Sequence, residues 1–98
     1  MLVAFSVAPA GGESDSVSKA VAEAVRVVRE SGLPSETTSM FTTVEGEWDE
    51  VMAVVKRAVE VVAQGAPRVS LVLKADIRPG YRGQLTAKVE RIEQHLEE

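Results

Sequence analysis

Thr42-Thr43-Val44-Glu45-Gly46-Glu47-Trp48-Asp49-Glu50-Val51 reads as a short β-strand that runs through a glycine corner straight into a helix. Thr42, Thr43 and Val44 are β-branched and suit a pleated surface. Gly46 breaks the strand. Glu47, Asp49 and Glu50 then fall in a helical first turn, where each carboxylate gains about 0.3–1 kcal/mol at best from the positive end of the helix dipole. The chain's only tryptophan sits at the same junction.

Upstream, Ser35 to Met40 is polar without helical period and is expected to form a second strand. A tight reversal near Met40-Phe41 would pair it with Thr42–Glu45. Before it, Val17 to Glu30 carries Val17, Ala20, Val21, Ala24, Val25 and Val28 at helical spacing, with Lys19, Glu23, Arg26 and Arg29 turned to water. Ser14, Ser16 and Ser18 offer N-cap oxygens, and Gly32 suits the left-handed position that ends a helix. Leu2 to Ala8 is short, apolar and bounded by Pro9-Ala10-Gly11-Gly12, the pattern of a strand stopped by a turn. Its Val3, Phe5 and Val7 share one face; Leu2, Ala4 and Ser6 share the other.

Downstream, Val51, Val54, Val55, Ala58, Val59 and Val62 continue the second helix to the stop at Gln64-Gly65-Ala66-Pro67. Arg68 to Asp76 alternates as a last strand. A turn-rich loop precedes Gln84 to Glu97, a third helix whose Leu85, Val89, Ile92 and Leu96 form a narrow apolar seam. The order is α+β: a ferredoxin-like βαββαβ antiparallel sheet with an additional C-terminal helix, in a single domain over residues 1–98. Two long helices would cover one sheet face. The other face, with Leu2, Ala4, Ser6, Phe41, Thr43, Val72 and Lys74, is too apolar to stay bare and is expected to meet another subunit.

Composition excludes several classes. Ninety-eight residues suit one modest core. A net charge of −4 argues against a nucleic-acid partner, which needs basic surface. The absence of cysteine excludes a disulfide framework and a thiolate metal site, and a single histidine builds neither a catalytic triad nor a zinc centre. No apolar run reaches the ~20 residues of a membrane span. A soluble cytoplasmic protein with no membrane partner, metal or cofactor is expected.

The chemistry-bearing residues have plain structural readings beside functional ones. Glu45, Glu47, Asp49 and Glu50 could act as a cluster, but three of them are explained as helix-start charges. Glu45 differs because it lies on the strand. Trp48 reads first as packing and second as a surface for ligand stacking. Ser14, Ser16 and Ser18 at a helix start could hold an anion, although Glu13 and Asp15 oppose one. Arg78 and Arg82 read as solvated loop charge, and His95 as a surface residue.

Ser31-Gly32-Leu33, Met40 with Thr42, Glu45-Gly46-Glu47-Trp48-Asp49-Glu50-Val51, Gly65-Ala66 with Arg68-Val69, and Lys74 with Asp76 and Arg78 occur in that order, with Ser16, Ser18 and Lys88-Val89-Glu90. Together they resemble the small thiamine-binding protein family over nearly the whole chain. The resemblance implies a ferredoxin-like fold, dimers that pair into tetramers, and binding of thiamine or its hydroxymethylpyrimidine half without catalysis. The family usually shows Pro-Met-Gly-Thr where this chain has Ser39-Met40-Phe41-Thr42, so Phe41 places a ring where glycine is usual. That ring either lines a pocket or fills it.

Thiamine joins a thiazolium cation to a flat aminopyrimidine, so its site wants hydroxyls, aromatic or apolar walls and negative charge. By type and position Ser6, Ser16, Ser18, Thr42 and Thr43 offer hydroxyls, Met40, Phe41 and Trp48 walls, and Glu45 charge. The alternatives are a regulatory or structural oligomerisation module that binds no thiamine, and an enzyme with Glu45 as general base.

Overall fold

The alternation of Val3, Phe5 and Val7 places all three on the same buried side of the first strand, β1 (Leu2–Ala10). The structure, a computed structural model, describes residues 1–11 and 17–97. After β1 come α1 (Val17–Glu30), β2 (Ser35–Thr37), β3 (Thr42–Glu45), α2 (Trp48–Ala63), β4 (Arg68–Asp76) and α3 (Gln84–Leu96). The strands form one antiparallel sheet in the order β2-β3-β1-β4. This is the βαββαβ arrangement with a further terminal helix.

α1 and α2 pack side by side over one sheet face. Val3, Phe5, Val7 and Val44 from the sheet meet Ala24 and Val28 of α1 and Val51, Val54, Val55, Ala58 and Val62 of α2. The core is built largely from valine, whose stiff branched side chain suits the thin gap between layers. At the β3–α2 corner, Gly46 is required by close approach. A Cβ there would stand 3.1 Å from Val51 Cγ2 and 3.5 Å from both Leu33 methyl carbons. Glu50 completes the start of α2 by accepting the Glu47 backbone N–H at 3.1 Å.

Two strand ends differ from expectation. β1 runs on to Ala10 instead of stopping at Ala8, with Pro9 opposite Val69 and Ala10 opposite Arg68. Proline is tolerated on a strand's unpaired side, and β3 pairs with β1 only from Leu2 to Phe5. β2 ends at Thr37 instead of Met40. The Thr38 hydroxyl accepts the N–H groups of Met40 and Phe41, and the Thr38 N–H donates to the Phe41 carbonyl at 2.9 Å. A hydroxyl that takes backbone donors in this way converts strand into turn.

α3 is fastened differently from α1 and α2. Gly83, at its N-cap, is left-handed (φ 68°) and has no side chain to cap it. Glu45 does so from 39 residues away: its carboxylate accepts the backbone N–H of Gln84 at 2.8 Å and that of Leu85 at 3.4 Å. One turn on, Lys88 pairs with Asp76. Glu45, Leu2 and Asp76 form one row across β3, β1 and β4, so two carboxylates of that row hold the start of α3. No α3 residue is buried. The protein measures 51 × 28 × 20 Å with a radius of gyration of 14.9 Å, against about 12.6 Å for a compact domain of this length.

Candidate functional site

Beyond the Phe5–Thr42 pair, β1 continues without β3 beside it. The gap is roofed by α1 and by the β2–β3 turn. There lies a cavity of about 170 Å³, walled by Phe5 to Ala8 of β1, by Val21, Ala24 and Val25 of α1, and by Thr37 to Thr42. Thr42 is buried, and its hydroxyl stands 3.3 Å from that of Thr37. The two residues pair across the hairpin. At the turn Met40 is 72% exposed and Phe41 36% exposed, and both border the cavity.

The cavity brings together four of the nine candidate residues: Ser6, Met40, Phe41 and Thr42. The others lie elsewhere. Thr43 faces the opposite side of the sheet, between Ala4 and Glu36. Ser18 is exposed in the first turn of α1, and Ser16, with Ser14, falls outside the described residues. Trp48 opens α2 and is half exposed. Phe41 lies in the turn before β3, so it does not belong to the open sheet face where the alternation had placed it.

Glu45 is buried at the far end of β3 beneath α3. It borders a larger cavity of about 240 Å³ with Leu33, Pro34, Glu47, Glu50 and Tyr81. Its carboxylate already accepts two N–H groups there, and Glu47 lies 3.9 Å from Arg82. Arg78 stacks on Tyr81 with its guanidinium carbon 3.6 Å from the ring centre. His95 is exposed on α3. Among the described residues no group of three or more His, Cys, Asp or Glu could hold a metal ion, and no helix is long and apolar enough to cross a membrane.

Thr37 was not among the candidates. The hairpin register carries the signal: a reversal over residues 38–41 puts residue 37 opposite Thr42.

A ferredoxin-like α+β protein with a small, hydroxyl-lined cavity beside its central strand is the class that these features define. The family model for thiamine-binding protein matches residues 3–93. The chain belongs to that family. A UPF0045 protein of Mycobacterium bovis is 57% identical over 97 residues, 98% of this chain and 94% of the relative. The crystal structure of a hypothetical protein from Methanocaldococcus jannaschii superposes with a TM-score of 0.84 at 33% identity, covering 94% of each chain. A candidate thiamine biosynthesis/salvage protein of Thermotoga maritima gives 0.76 at 28% identity, covering 92% of this chain and 97% of the other.

Proposed function

We propose that the protein binds thiamine or its hydroxymethylpyrimidine moiety in the cavity beside β1, acting as carrier, buffer or sensor rather than as a catalyst. One observation carries the reading: Ser6 of the first strand and the distant run Met40, Phe41 and Thr42 line one concavity in a chain of the thiamine-binding family. Among the described residues the lining holds hydroxyls and apolar walls but no side chain that titrates near neutrality, which suits recognition better than acid–base chemistry. Calorimetric titration with thiamine and with free hydroxymethylpyrimidine is the test. Heat and a raised melting temperature for either are expected; neither heat nor shift at millimolar ligand would overturn the reading.

A second reading concerns assembly. Val72 on the uncovered sheet face and Val89, Ile92 and Leu96 on α3 are each more than half exposed. Large apolar side chains left exposed in this way favour burial against another copy. We propose a homo-oligomer, a dimer of dimers, so that the chain could serve as an oligomerisation module even without a ligand. Light scattering should give a tetramer mass, and a monomer at micromolar concentration would remove the proposal.

A further inference from the structure

We propose that Phe41 and the uncharged walls of the cavity restrict it to a single uncharged ring, so that the pyrimidine half of thiamine enters and the thiazolium half does not. The proposal rests on the cavity being the ligand site.

Three features point the same way. The first is charge. Among the described residues no Asp, Glu, Lys, Arg or His lines the cavity, and its polar residues are Ser6, Thr37, Thr38, Ser39 and Thr42. A permanent cation moved from water into such walls loses hydration and gains no counter-charge. The carboxylate nearest along β3, that of Glu45, faces the other side of the sheet and is already occupied by the start of α3. An uncharged aminopyrimidine makes no such demand. Its coplanar donors and acceptors suit hydroxyls and the backbone of Ser6 to Ala8, which has no β3 strand beside it.

The second feature is size. About 170 Å³ is well below the ~300 Å³ at which cavities for drug-sized ligands begin. The space holds one ring with its substituents, so the second of two rings joined by a methylene would have to sit outside it.

The third is the fixed position of Phe41. The Thr38 N–H donates to the Phe41 carbonyl and the Phe41 N–H donates to the Thr38 hydroxyl, at 2.9 and 3.3 Å. Both ends of the Phe41 backbone are therefore tied into the turn, which sets the residue at the cavity wall. Phe41 is not part of the buried core. Its removal enlarges the cavity while the core between sheet and helices stays packed.

The experiment compares calorimetric affinities of free hydroxymethylpyrimidine and thiamine for the wild type, Phe41→Gly, Phe41→Ala and Phe41→Trp, with circular dichroism to verify folding. The wild type should bind the pyrimidine at least about tenfold more tightly than thiamine. Phe41→Gly and Phe41→Ala should each gain about tenfold for thiamine while pyrimidine affinity stays within about threefold, and Phe41→Trp should lose the pyrimidine. The proposal is overturned if the wild type takes thiamine as tightly as the pyrimidine, or if thiamine affinity does not respond to loss of the Phe41 ring. Binding of both ligands only after truncation would also overturn it, because Phe41 would then close the site entirely, while the cavity would stand as the ligand site. Binding of neither ligand to any form would remove the proposed function itself.

Discussion

Thr42 opens β3 and Glu45 closes it, and both are buried polar residues, at 7% and 8% exposure. Their surroundings differ. Thr42 faces the helix layer, beside a cavity that no charged side chain lines among the described residues, and its hydroxyl stands 3.3 Å from that of Thr37. Glu45 faces the opposite side, and its carboxylate is taken up by the N–H groups that open α3. Glu45 is the more reactive group by type, yet it acts as an anchor. What separates them is which backbone groups are left without partners nearby: α3 begins at a glycine and needs an acceptor, whereas β1 past Phe5 lacks a neighbouring strand and leaves space.

The sharpest way to break this contrast is Glu45→Ala. It leaves two N–H groups at the α3 start without their acceptor, and losing a helix cap costs about 1–2 kcal/mol. Because α3 has no buried residue, the loss should appear first as faster amide exchange from Gln84 through Lys88. Glu45→Gln keeps an acceptor oxygen and should restore most of the protection. Pyrimidine binding at the cavity should stay within about twofold in both variants, since no charged contact to the ligand is removed. A tenfold fall in that binding, with α3 still protected, would return Glu45 to the ligand site.

Thr42→Val tests the other end, with a smaller effect on stability. It keeps the shape and removes the hydroxyl. Thr37 is exposed enough to turn to water, so the cost should lie below about 1 kcal/mol. Affinity for the pyrimidine should fall about fivefold to tenfold, one neutral hydrogen bond's worth, with α3 exchange unchanged. If affinity does not move, the Thr37–Thr42 pair serves the hairpin alone.

Much of the fold was legible because it rests on short-range patterns. The alternation in β1 and the helical stripes of α1 and α2 each state which side is buried. The ends of β1 and β2 were not legible, because both depend on what the neighbour does: β3 stops pairing at Phe5, and the Thr38 hydroxyl takes the turn's N–H groups. The site shows the same limit. Residue type nominated Glu45, Trp48 and Thr43 as readily as Thr42, but only the sheet register says that Thr43 lies on the other face. The role of Glu45 depends on a partner 39 residues away, and no local spacing announces such a contact. Thr37 was missed although its partner was named, because the hairpin's reversal was placed slightly too late.

The second fastening of α3, between Lys88 and Asp76, supplies the smallest expected effect. The Lys88 ammonium, hydrogen-bonded to the Asp76 carboxylate, holds that carboxyl below its ordinary value of 3.8, with Arg78 and Lys74 adding to the attraction. A carboxyl whose pKa is lower in the folded chain stabilises the fold when ionised. Its contribution is complete above the unfolded value, and it disappears as pH falls through the lowered folded one. Lys88→Ala should therefore raise the Asp76 pKa toward 3.8 in a carbon-detected NMR titration, and it should leave neutral-pH stability nearly unchanged, as exposed pairs do. Amide exchange in α3 should rise only slightly, because the Glu45 cap remains. Should Lys88→Ala free α3 as fully as Glu45→Ala does, the helix would be held by the outer pair, and the burial of Glu45 would need another cause.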